Sequence, residues 1–283
     1  MRMFSKIFKT EFVKNAKTFL IIMAVVLGVS IVTGLLSSLS SYISGLYDSA
    51  LSDPNFQGKE MPAIVIWLCV ASGILTAFTF PAVYGGHAAL AIVLFVSFYK
   101  SVATDEAYLT FTLPASMKEQ FFARLLVIIA WMAIFGVSLV LSMSFLMMSV
   151  FNFAWIGAKA EIIAAITEML KNFTADTFFI LSEVFLLIIA AAMFGIAEVV
   201  FAILLGNRIT RRGKLGAAIG ILFGIGFALE FVLIFGITFL ATVGFFDVSI
   251  HIILWFFILL VAGLDFLLLF FSYRFLSKGL NVD

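Results

Sequence analysis

Six long apolar stretches, separated by short polar segments, dominate the pattern of this chain. They are far longer than the short alternating segments of a membrane β-barrel. A helix needs about 20 residues to cross a bilayer, and it satisfies its own backbone hydrogen bonds there. The pattern therefore predicts an all-α integral membrane protein with six transmembrane helices. The predicted spans are approximately 18–39, 61–99, 120–151, 177–205, 215–241 and 250–273.

The second stretch is unusual because Met61–Tyr99 contains no charged residue. It is too long for one straight span and short for two spans joined by a turn. Pro81 and the pair Gly85-Gly86 indicate a kink or a break within it. We therefore predict one broken span with an apolar extension.

Residues 1–17 have a different pattern, in which apolar and basic positions occupy different sides of a helix. The pattern predicts a basic amphipathic helix on the inner membrane surface, followed by a transmembrane domain over 18–283. The alternative is a positively charged flank of the first span. The apolar side carries Phe4, Ile7, Phe8, Phe12 and Val13, and the basic residues are Lys6, Lys9, Lys14 and Lys17.

Composition supports the membrane class and charge suggests an orientation. The 283 residues are 64% hydrophobic and only 12% charged, whereas soluble domains contain about 25% charged residues. With six spans, all of the 17 Lys and Arg residues except Lys59, Lys159 and Lys171 share one side of the membrane. Because positive residues concentrate on the cytoplasmic side, we expect both termini in the cytoplasm. The single cysteine, Cys69, excludes an internal disulfide.

The polar segment Lys100–Arg124, called the island below, lies on the same predicted cytoplasmic side. Thr104 can cap a short helix whose first turn carries Asp105 and Glu106, which are favourable at a positive helix end. Pro114 ends that helix. An ordinary connecting loop is the alternative on physical grounds.

The third span has a clear start signal within the island. Ser116 and Glu119 have the spacing of a capping box, in which each residue accepts a hydrogen bond from the backbone of the other. The island is therefore predicted to hold a short cytoplasmic helix between two membrane helices.

The sequence around the island, FYKSVATDEAYLTFTLPASMKEQFFARLL, resembles a stretch of type-2 ABC transporter permeases of Gram-positive bacteria. The opening KIFKTEF and the ending LSKGLNV also resemble the termini of that family. The resemblance thus covers nearly the whole chain, and six spans are typical of the family. The central motif residues that match in order are Glu106, Tyr108, Leu109, Thr110, Phe111, Thr112, Leu113 and Pro114.

The resemblance implies a transport subunit that is not itself an enzyme. Such a subunit of the bacterial cell membrane pairs with a second permease, either a copy or a related chain, and with two copies of an ATP-binding subunit. ATP and Mg would be bound by that partner, which drives export of a hydrophobic or amphipathic substrate by alternating access. Residues 1–17 would be the connecting helix, Thr104–Thr112 the coupling helix and Gly236–Ser249 a re-entrant element. The expected contacts with the ATP-binding subunit are Asp105, Glu106, Tyr108, Leu109, Phe111 and Leu113.

Motifs for chemistry within this chain are weak. GNRITRRGKL (206–215) has six residues between its glycines and Leu215 where a phosphate loop needs Ser or Thr, so its cations are expected at anionic headgroups. Neither Gly28-Val-Ser30 nor Gly136-Val-Ser138 completes a serine hydrolase motif. We expect no cofactor, no metal and no nucleic-acid partner.

Acidic residues and glycines within the spans leave two questions open. Glu198, Glu230 and Asp265 are candidates for a polar translocation path, and Glu183 is expected near the outer surface. The alternative is hydrogen bonding to neighbouring helices. A competing function is an ion-gradient-driven secondary transporter that uses these carboxylates. The glycines at 216, 220 and 224 predict close helix packing, within the subunit rather than at a dimer seam.

Overall fold

The computed structural model describes residues 2–51, 62–104, 115–157, 164, 167–168, 171, 173–210, 212–242 and 249–278. The regular elements of these residues are all α-helices. They are α1 (Arg2–Lys14), α2 (Ala16–Leu51), α3 (Ala63–Ala103), α4 (Met117–Gly157), α5 (Ala175–Ile209), α6 (Lys214–Thr242) and α7 (Ile250–Ser277).

Six of these helices, α2 to α7, are long and apolar enough to cross a membrane. The predictions of an all-α fold and of six helices long and apolar enough to span a membrane are therefore confirmed for the described residues, as expected for a multi-pass membrane protein. Helix α1 is separate from α2 and has the two predicted faces. Ile7 is buried and Phe8 stacks on Phe12, whereas Lys6 and Lys9 are exposed.

Helix α2 extends to Leu51 and so runs well beyond the end predicted at residue 39. Hydroxyl groups in its serine-rich second half bond to carbonyls of the preceding turn. Ser38 Oγ donates to the Gly34 carbonyl at 2.7 Å, and Ser49 Oγ to the Leu46 carbonyl at 2.8 Å. Back-bonding of this kind satisfies a hydroxyl group within a helix but does not itself stabilise the helix.

Helix α3 continues through Pro81 and through the glycine pair that follows. The break expected there is therefore absent from the structure. Proline removes one backbone donor and leaves the Ala77 carbonyl without its usual partner. In an apolar medium every further lost backbone hydrogen bond is expensive, so a continuous helix is preferred over a complete break.

The chain forms two compact units, and three of the helices contribute to both. The first unit comprises Met1–Phe12, Leu94–Ile129 and Phe173–Asp283, and the second comprises Val13–Val93 and Ala130–Asn172.

The second unit has an apolar core built by α2, α3 and α4. Val26, Val83 and Leu146 are buried together, one from each helix. Phe19 of α2 makes an edge-to-face contact with Trp131 of α4, with the ring centroids 4.9 Å apart. Such aromatic pairs contribute about 0.5–1.5 kcal/mol beyond the area that they bury.

Hydroxyl pairs add polar contacts between α2 and α3 in this unit. Thr33 Oγ1 and Thr79 Oγ1 lie 2.9 Å apart, and Ser37 Oγ and Thr76 Oγ1 also lie 2.9 Å apart. Interhelical hydrogen bonds contribute about 0.6–2 kcal/mol each in membranes. They fix the register of the two helices, which apolar contacts alone specify weakly.

In the first unit, α5 packs against both α6 and α7. Helices α5 and α7 are parallel, as contacts at their two ends show. His251 in the first turn of α7 contacts Asp176 in the first turn of α5. At the other end, Phe275 packs on Phe201 with a centroid distance of 5.7 Å, and the Arg208 guanidinium lies 5.1 Å from the Phe275 ring.

The glycines of α6 do not pack as predicted. A Cβ atom added at Gly216, Gly220 or Gly224 would meet no other described atom within 4 Å. Within the part of the chain that the structure describes, nothing packs on this face as the glycine spacing predicts. Helix α6 instead approaches α5 through Ala218, whose backbone lies against Gly206.

Candidate coupling site

The predicted coupling residues lie outside the part of the chain that the structure describes, but both flanks of the island are described. These flanks are the end of α3, up to Thr104, and the start of α4, from Ala115. Contacts of the two flanks with other helices are called the anchoring contacts below. The undescribed predicted residues are Asp105, Glu106, Tyr108, Leu109, Phe111 and Leu113.

Two buried side chains hold the end of α3. Asn207 Nδ2 donates to the Val102 carbonyl at 3.3 Å, and Lys214 Nζ donates to the Ala103 carbonyl at 3.5 Å. The last four carbonyls of a helix have no donor within the helix, and positive charge is favoured near them. The α5–α6 connection therefore closes the end of α3.

Side chains also cap the two ends of the island. Thr104 Oγ1 donates to the Lys100 carbonyl at 2.6 Å. At the start of α4, the Ser116 backbone N–H donates to Glu119 Oε2 at 3.2 Å and the Glu119 N–H donates to Ser116 Oγ at 3.3 Å. The predicted capping box is thus confirmed.

The basic loop between α5 and α6 differs from the sequence expectation. Lys214 is buried rather than directed to lipid headgroups, and Arg208 lies over the Phe275 ring. Arg212 is exposed and remains available to anionic headgroups. Part of the loop's positive charge therefore serves contacts within the protein.

Arg124 anchors the start of α4 to the N-terminal helix. Its side chain is 3% exposed, and its Nε lies 3.4 Å from Glu11 Oε1 of α1. Both of its Nη atoms are buried and have no hydrogen-bond partner within the described residues. Burial of a guanidinium without full pairing is costly in free energy. The carboxylate of Glu11 offsets part of this cost for Arg124.

Aromatic contacts tie the same turn of α4 to α7. The ring of Tyr273 lies 5.9 Å from that of Phe121 and 6.4 Å from that of Phe122, centroid to centroid. Phe121 is buried. The anchoring contacts therefore connect the island's flanks to α1, α5, α6 and α7.

The sequence did not predict these contacts. Glu11 and Arg124 lie in two segments that carry the family resemblance, KIFKTEF and FYKSVATDEAYLTFTLPASMKEQFFARLL, but they are far apart along the chain and no pattern pairs them. Asn207 is a polar amide at the end of an apolar stretch, and such a residue favours caps and turns over helix interiors.

The structure describes the side chains of two of the three intramembrane acids proposed for a translocation path, Glu198 and Asp265. Glu198 is directed towards α6, with Oε1 3.7 Å from the position of a Cβ added at Gly226. Asp265 Oδ1 is buried without a hydrogen-bond partner among the described residues. No hydrogen bond joins Glu198 to Asp265 there, and the side chain of Glu230 lies outside the described part.

Comparison of the sequence with protein-family models and curated proteins, and of the structure with solved structures, finds no match. The anchoring contacts are the described contacts that lie nearest in the chain to the predicted coupling residues.

The Asn207→Asp variant tests the contact at the end of α3. A carboxylate cannot donate to the Val102 carbonyl and repels it, so we expect a loss of about 1–3 kcal/mol in unfolding free energy. Thermal unfolding in detergent micelles measures the effect. The matched control is Arg212→Gln, an exposed change in the same loop. An equal midpoint in the two variants would show that the Asn207 hydrogen bond contributes no stability.

Proposed function

We propose that this chain is the transmembrane subunit of an ATP-driven exporter in a bacterial cell membrane. The island docks on a separate ATP-binding subunit, of which two copies bind ATP and Mg. A second permease, identical or related, completes the pathway. The substrate is hydrophobic or amphipathic, and the pathway opens to alternate sides of the membrane.

The observation that carries this proposal is the arrangement around the island. Its sequence resembles the coupling segment of type-2 ABC permeases, and both of its flanks are held by side chains of other helices. Asn207 and Lys214 hold one flank and Glu11 holds the other. Displacement of the island would therefore move α1 and the α5–α6 connection together with α3 and α4.

The open face of α6 that carries Gly216, Gly220 and Gly224 supports the proposal of a second permease subunit. Small residues allow two helix backbones to approach closely, and the described part of this chain leaves that face uncovered. A second subunit packing there would bury the glycine face, which the described residues of this chain leave open.

Co-purification tests the proposal most directly. The affinity-tagged chain, extracted from its native membranes in mild detergent, should bring with it an ATP-binding cassette protein identified by mass spectrometry. The complex reconstituted in lipid vesicles should hydrolyse ATP. If the chain purifies without such a protein and the vesicles respond only to an imposed ion gradient, the proposal is wrong.

The Tyr108→Ala/Phe111→Ala double variant tests the docking surface. Removal of two aromatic side chains from a contact centre typically costs at least about 2 kcal/mol per hot-spot residue. We expect uncoupled ATP hydrolysis, loss of transport and an unchanged thermal midpoint. Phe178→Ala/Phe179→Ala, an exposed aromatic pair at the start of α5, is the matched control. Normal transport by the island variant would contradict the assignment.

An ion-gradient-driven secondary transporter is the second candidate, because one buried carboxylate oxygen has no described partner. Asp265 Oδ1 is the atom concerned, and intramembrane acids of this kind often belong to ion or proton pathways. This candidate predicts transport without an ATP-binding partner and its loss in Asp265→Asn. The exporter proposal predicts transport that depends on ATP.

A further inference from the structure

Three ionisable side chains meet where α5 and α7 begin, at the opposite end of these helices from the anchoring contacts. His251 Nδ1 lies 2.7 Å from Glu183 Oε2, and His251 Nε2 lies 2.8 Å from Asp176 Oδ1. Glu183 is buried, the imidazole is partly exposed and Asp176 is exposed. These three residues are called the Asp–His–Glu cluster.

The geometry fits a proton on each ring nitrogen. An ionised carboxylate only accepts hydrogen bonds, and a neutral imidazole donates from one nitrogen alone. Two simultaneous contacts of 2.7 and 2.8 Å to carboxylates therefore fit a protonated ring. Charge-assisted hydrogen bonds have these short lengths.

A metal ion does not account for the cluster. The two carboxylates lie at opposite edges of the ring, each against a different nitrogen, so they do not converge with one nitrogen on a common point as metal ligands do. The described residues contain no group of three side chains placed to bind a metal. A protonated ring would supply the cation between the two acids.

The helix ends favour the acids and disfavour the ring. Asp176 is the second residue of α5, where the helix dipole and the Thr174 N-cap suit a negative charge. His251 is the second residue of α7, where the same dipole opposes a positive charge. Within the described residues, Asp176 and Glu183 are the charged groups that face the ring from the packed helix α5. The two carboxylates must therefore stabilise the protonated ring.

We propose that the Asp–His–Glu cluster is a proton-binding site that holds the beginnings of α5 and α7 at their closest approach only while His251 is protonated. Loss of the proton leaves one ring nitrogen as a bare acceptor opposite a carboxylate, so one of the two contacts is lost and the other remains. The helix ends then move slightly apart. In the orientation predicted from the charge distribution, this end faces the external medium, so external pH controls the contact. The site does not depend on the proposed function.

Nitrogen-15 NMR of histidine-labelled protein tests the proton directly. The chain has only two histidines, and the spectrum of His251→Gln assigns their signals. At pH of about 7, near the ordinary titration range of histidine, both nitrogens of His251 should be protonated. The protonated fraction should fall in Glu183→Gln and in Asp176→Asn. A neutral ring at this pH, with the proton on Glu183 instead, overturns the proposal.

Spin-label distances test the movement in the full chain. In a Cys69→Ser background, labels at Phe179→Cys and Ile252→Cys report the beginnings of α5 and α7. Labels at Ile209→Cys and Phe271→Cys report their other ends as a control. Between about pH 5 and about pH 9, the first distance should lengthen by about 1–2 Å, the amplitude of small helix shifts.

Two further variants make this test decisive. His251→Gln should show the longer distance at every pH, because its single amide nitrogen reaches one carboxylate. His251→Lys keeps its charge to high pH and should preserve the shorter distance. An unchanged distance in the parent chain, or a pH response that persists in His251→Gln, overturns the proposal.

Discussion

Glu11→Gln is expected to destabilise the protein more than any other single charge change that the structure suggests. It removes the counter-ion of Arg124, whose side chain is 3% exposed. Removal of one partner from a buried ion pair costs about 3–5 kcal/mol. We expect the lower end of this range, because Glu11 is 20% exposed. The measurement is the thermal midpoint in detergent micelles.

Two further variants separate the ion pair from a general charge effect. Lys9→Gln changes an exposed charge on the same helix and should leave the midpoint unchanged. Glu11→Gln combined with Arg124→Met removes both charges, and it should be more stable than Glu11→Gln alone because no unpaired charge stays buried. If the double variant is less stable than Glu11→Gln, Glu11 does not stabilise the protein by compensating the charge of Arg124.

Gly206→Leu is expected to have the second large effect. Even a Cβ atom at this position would lie 2.7 Å from the backbone nitrogen of Ala218 and 2.9 Å from its Cα. Backbone atoms cannot move aside as a side chain can, so α5 and α6 must separate. Ordinary overpacking costs about 1–3 kcal/mol, and we expect at least the upper value. The thermal midpoint and the yield of folded protein measure it.

Gly195→Leu is the matched control for this variant. A Cβ at Gly195, in the same helix, would meet no described atom within 4 Å. Replacement of a mid-helix glycine there should be neutral or stabilising, since glycine costs about 0.5–1 kcal/mol relative to alanine in a helix. Equal losses in both variants would show that glycine is required for helix flexibility rather than for close packing.

The sequence predicted those features of the fold that depend on local physics. Long apolar stretches predicted the spanning helices, and the Ser116–Glu119 spacing predicted the start of α4. It failed where the membrane changes the balance. Proline interrupts helices in water, but in an apolar medium each further unpaired backbone group costs more, so α3 continues through Pro81.

The candidate site was less predictable because its contacts join residues that are distant in sequence. Nothing in the sequence pairs Glu11 with Arg124. The glycine repeat of α6 does not predict that Gly206 is the glycine at the close approach of α5 and α6. His251 belongs to no motif in the sequence. Its two acidic partners come from another helix, and their convergence depends on how α5 and α7 align.

The two end contacts of the α5–α7 pair have a consequence for its behaviour in bilayers of different thickness. Along α7, His251 and Phe275 are about 36 Å apart at 1.5 Å per residue, somewhat more than the about 30 Å hydrocarbon core. The charged contacts at the two ends therefore lie near opposite interfaces. In a thinner bilayer, α5 and α7 cannot tilt independently without breaking one of these two end contacts. The two helices therefore respond to hydrophobic mismatch by tilting together. A change in lipid chain length should change the tilt of α5 and α7 by the same amount.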